Sequence, residues 1–532
     1  MPRAPEKRSE TRPVAVIDIG SNSARMVIAQ VLPDGTTDAL ERLQRTVRLG
    51  HDTFVTGRLS QESMNATIAI LRDYKRILDT YHVSHVRAVA TSAVREAENV
   101  DAFVDRVLMT VDLDIEVIET AEESRLTVSA VREALGDRLG VTRSYALIVE
   151  VGGGSAVLTI LQKGEIAASE SYNLGSIRLQ EMLSTSEESG TRAADLLRHH
   201  IENTVAAAKR AIPLSKVRSF FAIGGDARFA AQQVGKQTTS PEVSAISLRD
   251  FDRLVDRCVE HTVEELARIY GLAFSEAETL APALLAYQVL LGATQARRMN
   301  VSRVSMRDGL LLDAARYVMG KEDAGLAESV LRTAKTIGER YRYDETHGHH
   351  VAELAAHLFD ELQPEHGLTP RHRLLLQVAA ILHEIGGFVS GRAHHKHAYY
   401  LISNTEIYGL RPEDVAIVAH VARYHRRSCP KSSHIDYMTL PREQRIVVNK
   451  LAAILRVADA LDRGHAQQIR DFSVERRPGE LILVIRGVPD LNLEKHALQS
   501  KGDLFEDIYG LKLRLEQATS PSRRVRRQAI KE

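Results

Sequence analysis

The spacing of apolar residues along this chain switches repeatedly between strand and helix periods. Apolar runs of strand type occupy 14–32 and 36–49. A helical stretch follows from Leu59 to Tyr81, with Met64, Ile68, Leu71 and Leu78 on one face. His85 to Ala90 predicts a strand running into Thr91-Ser92-Ala93-Val94-Arg95-Glu96, a helix start. Asp114 to Ile118 predicts another strand, and Ala121 to Leu135 a helix that stops at Gly136. Strands alternating with helices imply a layered α/β fold. The same logic returns from Tyr145 to Met319, including a strand from Ser219 to Ile223 before Gly224-Gly225. This region is expected to end in a strand, Val301 to Met306, that breaks at Asp308-Gly309 into a helix from Leu310 to Val318.

After Gly320 the pattern becomes long helical stretches with few strand signals. Histidine is concentrated there, from His347 to His425. A short β segment follows from Asp471 to Arg486, turning at Arg477-Pro478-Gly479. The predicted organisation is a disordered N-terminus (1–13), two α/β domains (14–138 and 139–322), an all-α domain (323–470), a small α+β segment (471–517) and a basic tail (518–532). Arg523, Arg524, Arg526 and Arg527 in that tail read as solvated and disordered.

One phrase occurs twice. Val14-Ala15-Val16-Ile17-Asp18-Ile19-Gly20-Ser21-Asn22-Ser23 and Tyr145-Ala146-Leu147-Ile148-Val149-Glu150-Val151-Gly152-Gly153-Gly154-Ser155 are both apolar runs. Each carries a carboxylate near its end and breaks at glycine into a small polar turn. A second apolar run follows each turn, and a glycine-containing turn then closes each hairpin, at Pro33-Asp34-Gly35 and Gln162-Lys163-Gly164. Two such units suggest related half-domains facing a cleft. A turn of glycine and serine points several backbone N–H groups at one spot and lets an anion come close. Gly20, Ser21, Asn22 and Ser23, with Gly152, Gly153, Gly154 and Ser155, are therefore the candidate phosphate-binding residues. Asp18 fits a Mg²⁺ role beside those phosphates.

Composition narrows the setting. The chain has 532 residues, 44% hydrophobic and 26% charged, which is ordinary for a globular protein of several domains. Lys plus Arg equals Asp plus Glu, at 70 each, so no global field draws in nucleic acid. The two cysteines, Cys258 and Cys429, exclude a disulfide framework and fit a reducing compartment. The polar N-terminus is unlike a signal peptide, and no run reaches the roughly 20 apolar residues that span a bilayer. A cytoplasmic protein is expected, without membrane or specific nucleic-acid partners.

Asp18-Ile19-Gly20-Ser21-Asn22-Ser23 with Arg25, Thr91 to Asn99, Glu122-Glu123-Ser124-Arg125-Leu126, Gly152 to Ser155 and Arg307-Asp308-Gly309 resemble, in order, the motifs of the exopolyphosphatase / guanosine pentaphosphate phosphatase (Ppx/GppA) family. The resemblance implies an α/β fold class: two actin-like (ASKHA, ribonuclease H-like) domains facing a cleft, then an all-α HD-like domain. It implies release of terminal orthophosphate from polyphosphate, or of the 5′ γ-phosphate of pppGpp, with Mg²⁺, by a homodimer. On it, Glu123 matches the general base and Arg95 a phosphate-clamping arginine. Thr120-Ala121-Glu122-Glu123 is also a capping-box pattern, which would mount Glu123 rigidly.

Three positions depart from the family pattern. Glu150 stands where the second metal-site carboxylate is usually Asp. Val157 replaces an acidic residue, and Asp226 follows Gly224-Gly225 where a small hydroxyl residue is usual. These departures keep open a catalytically weakened polyphosphate or (p)ppGpp-binding regulator as the alternative. A sugar kinase is a remoter rival. In the helical region His350, His383, Glu384 and Asp459 resemble an HD-type metal set, with Glu384 in place of Asp. Such domains in longer family members resemble decayed HD domains, so a structural role is expected there. His394, His395, Lys396, His397, Arg423, His425, Arg426 and Arg427 could line a path for a long polyanion.

Overall fold

The computed structural model describes residues 12–135, 144–182, 190–319, 324–426 and 428–517. The expected disordered termini, Gly136, Arg427 and the expected boundaries at 138/139 and 322/323 lie largely or wholly outside the described residues. The chain divides into two compact units, breaking between 323 and 324.

The first unit contains two lobes. In lobe I, β1 (Arg12–Ile19), β2 (Ser23–Val31) and β3 (Thr37–Thr46) form an antiparallel meander. Strands β4 (His85–Ala90) and β5 (Ile115–Val117) add in parallel beyond β1, giving the order β3-β2-β1-β4-β5. In lobe II, the strands are β6 (Tyr145–Val151), β7 (Ala156–Gln162), β8 (Glu165–Tyr172), β9 (Val217–Ile223), β10 (Lys236–Gln237), β11 (Val243–Ser247) and β12 (Arg298–Ser302). Their order is β10-β11-β12-β9-β6-β7-β8. From β8 to β12 it repeats lobe I: a meander, then two parallel strands. This is the duplicated sheet of the actin-like fold. In both lobes the first strand is buried on both faces, which explains its nearly continuous apolar run.

Two helices join the lobes. The helix Thr120–Leu135 puts Leu126 into a cluster with Val14, Val16 and Val89 of lobe I, and Val128 and Val131 against Ala146, Ile148 and Phe221 of lobe II. The helix Met306–Val318 packs Leu310, Leu311 and Ala314 onto lobe I. It follows lobe II in sequence but packs on lobe I, so the stretch expected as a second α/β domain (139–322) is not one lobe in space. Its start also differs from expectation. The preceding strand stops at Ser302, and Asp308 accepts hydrogen bonds from the Ser305 amide (2.7 Å) and hydroxyl (2.9 Å). Asp308 thus belongs to the helix's N-terminal cap instead of breaking the chain before it.

The second unit is mainly helical, as predicted. It also carries a three-stranded sheet, β13 (Phe472–Arg477), β14 (Glu480–Ile485) and β15 (Lys512–Gln517), with β13 and β14 joined by a tight turn at Gly479, φ 74°. Leu481, Leu483 and Phe505 belong to the same buried cluster as Leu451 and Val378. The 471–517 segment therefore shares the helical core and is not a separate domain.

Candidate active site

Both glycine turns close in the same way. The Gly20 N–H donates to Ser23 O at 3.0 Å, and the Gly152 N–H to Ser155 O at 2.9 Å. The turns face each other, and a Cβ on Gly153 would lie 2.9 Å from Ser21 Cβ. Between the lobes is a cavity of about 460 Å³. Asp18, Gly20, Ser21, Asn22, Ser23, Glu123, Glu150, Gly152, Gly153 and Ser155 all line it. The structure thus brings together most of the residues singled out in the sequence.

Two of those residues sit elsewhere. Arg95 does not line the cavity. Its Nη1 donates to Glu123 Oε1 (2.5 Å) and to Ile118 O (2.5 Å), so its fork clamps a carboxylate and a carbonyl where a phosphate was expected. Gly154 turns away from the cavity toward lobe I, where a Cβ would meet Phe54 at 2.4 Å and Ser92 Oγ at 2.6 Å. The capping box at Thr120 also gives way. The Glu123 N–H donates to Glu119 O at 3.1 Å, and its carboxylate is taken by Arg95.

Three arginines complete the lining: Arg25 on β2, Arg228 after the Gly224-Gly225 turn, and Arg307 at the start of the last lobe-joining helix. Each lies in a motif that the sequence displayed, but nothing local said that they converge. Arg307 Nη1 donates to Asp18 Oδ2 at 3.0 Å. Arg25 Nε donates to Gln44 Oε1 at 3.1 Å. Burial, then the Arg307 charge, push both Arg25 and Arg228 below the ordinary guanidinium value. Such crowding of partly desolvated cations is relieved by an anion.

The carboxylates are strained in the opposite sense. Burial pushes Glu123 up to about 7, against the pull of Arg95. Burial, then the Asp18 charge, raise Glu150, whose Oε2 accepts from Thr127 Oγ1 at 3.2 Å. Burial likewise lifts Asp226 to about 7. Val157 lies directly across the β6–β7 pair from Glu150 and also faces the cavity. A desolvated Glu150 near Asp18 is a donor pair that gains from a cation. Asp18 and Glu150 are the carboxylates of this cavity that could hold a divalent cation.

In the second unit the histidine set is shifted by one helical turn. His347 Nε2, His383 Nε2 and Asp459 Oδ1 converge, with the two nitrogens 3.7 and 4.0 Å from the carboxylate oxygen. His350 is replaced by His347 in that group. Glu384 groups instead with His347 and His465. The His383 Nδ1–H must donate to Ala380 O (2.6 Å), which leaves its Nε2 lone pair facing Asp459. Neither Nε2 has a hydrogen-bond partner. Lys501 Nζ meanwhile pairs with the other oxygen of Asp459.

A duplicated actin-like fold, with an amide turn from each lobe and a buried carboxylate between them, defines a phosphate-handling protein. Comparison with known proteins agrees. Residues 26–318 match the Ppx/GppA phosphatase family and residues 331–505 match Ppx/GppA phosphatase domain III, so the chain belongs to the Ppx/GppA phosphatase family. It is 26% identical over 508 residues to a guanosine-5′-triphosphate,3′-diphosphate pyrophosphatase of Aeromonas hydrophila, covering 92% of this chain and 95% of that one. It is 29% identical over 322 residues to exopolyphosphatase 2 of Mycobacterium tuberculosis, covering 57% and 98%. The crystal structure of an exopolyphosphatase from Cytophaga hutchinsonii matches with TM-score 0.51 at 24% identity, over 58% of this chain and 99% of that one.

Proposed function

We propose that this protein hydrolyses terminal phosphoanhydride bonds, releasing orthophosphate from inorganic polyphosphate, from the 5′ end of pppGpp, or from both. The observation that carries this reading is the single cavity shared by both glycine turns, Asp18, Glu150 and Glu123. The turn amides and Arg25, Arg228 and Arg307 receive the terminal phosphates. Glu123, desolvated to a value near neutrality, takes a proton from water as it attacks the terminal phosphorus. The P–O bond to the bridging oxygen breaks, and orthophosphate and a shortened chain leave. Arg95 stabilises the ionised base. Asp18 and Glu150 would hold Mg²⁺, which supplies charge neutralisation to the phosphate oxygens.

The test is orthophosphate release from long polyphosphate, short polyphosphate and pppGpp, with and without Mg²⁺. Glu123→Gln is expected to abolish release while substrate still binds. An unaffected rate refutes the assignment. Saturable binding without release by the wild-type chain would instead support the regulatory reading, for which Val157 beside Glu150 is the structural argument.

The orphaned Nε2 atoms of His347 and His383 support a divalent ion on the set His347, His383 and Asp459. Metal analysis of purified protein is expected to find about one ion in this set, lost on His383→Ala. No helix among the described residues is long and apolar enough to cross a membrane. A cytoplasmic homodimer is the expected setting on the family resemblance, and sedimentation would test the dimer.

A further inference from the structure

The second glycine turn is held from behind by residues that also grip the opposite lobe. Its carbonyls point at the short helix Ser176–Met182. The Ser176 N–H donates to Gly152 O (2.9 Å), and the Ile177 and Arg178 N–H groups donate to Gly153 O (3.0 Å each). Arg178 Nε donates to Gly154 O at 2.7 Å. These bonds fix the carbonyl side of the turn against the helix, while Gly152 and Gly153 line the cavity.

The same helix reaches across the cleft. Arg178 Nη2 pairs with Glu96 Oε2 of lobe I, and the guanidinium lies 4.1 Å from the centre of the Phe54 ring, also in lobe I. Phe54 in turn fills the space that a side chain at Gly154 would occupy. Farther along the helix, Glu181 pairs with His51 of lobe I. The Arg178 side chain is only 12% exposed, whereas its partner Glu96 is 38% exposed. One guanidinium therefore joins three things: a carbonyl of the turn, a carboxylate and an aromatic ring of the other lobe. A planar fork can serve all of them at once, whereas an ammonium cannot.

We propose that Arg178 is a positioning residue. It couples the second glycine turn to lobe I, so that the turn's amides are aimed at the terminal phosphate while the lobes are closed. Glu96 is its partner in this coupling. The proposal rests on the reading of the cleft as a phosphate site, and its test separates the two.

Two measurements on the full chain are needed. The first is ligand-free hydrogen exchange. Arg178→Met and Glu96→Gln are each expected to speed exchange at the Gly152–Ser155 amides, although Glu96 belongs to the other lobe. The second is calorimetric binding of inorganic tripolyphosphate in an E123Q background, so that the ligand is not consumed. Arg178→Met is expected to weaken binding by about tenfold or more, with a near-native melting temperature. Arg178→Lys should recover part of that loss, and the R178M/E96Q pair should bind little worse than R178M alone, because both changes remove one shared contact. Unchanged exchange at the turn in both single variants, or strictly additive losses in binding, would overturn the proposal. If R178M does not fold, R178K and E96Q decide by the same criteria. A wild-type chain that binds tripolyphosphate but releases no orthophosphate refutes the hydrolase reading and leaves the coupling to stand or fall on exchange and binding.

Discussion

At the scale of single residues, the cleft is poised by burial. Glu123 is the plainest case. Its carboxylate is pushed up to about 7 by desolvation, and Arg95 opposes that push. The acid limb of kcat/KM is therefore expected near pH 7, with rate rising as Glu123 ionises. Arg95 favours the charged form, so Arg95→Met should move that limb to higher pH. A pH–rate profile of the two proteins checks the direction. Asp226 gives a stability prediction. Its native value of about 7 exceeds the ordinary 3.8, so between these values the native state holds a proton that the unfolded chain has released. The ionised carboxylate weighs against the fold above pH 7. Asp226→Asn should stabilise the protein by on the order of 1 kcal/mol at pH 8. The gain should fade to nothing as pH falls below 4. Thermal melts across that range measure it. Asp18 and the two glycine turns were legible in the sequence because strand ends and glycine turns are local signals, and Glu123 through its match to the family motif. The true partner of Arg95 was not, since Glu123 lies on a helix and is 28 residues away in sequence.

At the scale of elements, the two lobe-joining helices set the geometry. They cross where Gly309 meets Leu126: a Cβ on Gly309 would lie 2.1 Å from Leu126 O. Gly309→Ala must push these helices apart and should cost about 2 kcal/mol, read by chemical denaturation. It should also lower turnover, because Arg307 and Glu123 ride on those helices. Most elements were readable from periodicity. His85–Ala90 was placed to the residue, and the helix predicted from Leu59 to Tyr81 spans Gln61–Thr80. The helix Leu49–Thr56 was missed because Gly50, Asp52 and Thr53 are weak helix formers, and contact with the opposite lobe overrides that preference. The Ser305–Asp308 cap was mistaken for a break, since Asp-Gly after an apolar run is also a turn signal.

At the scale of the whole molecule, each unit has its own buried clusters. Calorimetry is expected to resolve two unfolding transitions, with His383→Ala moving only the one that belongs to the second unit. A single transition moved as a whole would mean that the units unfold together. By itself the sequence determined the repeat, the helical unit and the paired glycine turns, which are written in local periodicity, and its short ordered motifs carried the family resemblance from which the actin-like lobes follow. Only the tertiary structure decided that the helix after lobe II covers lobe I, that His347 and not His350 joins His383, and that Arg25, Arg228 and Arg307 share one cavity. It alone decided that Arg178 spans the cleft. These outcomes depend on which faces meet between segments far apart in the chain, and local pattern carries no record of that meeting.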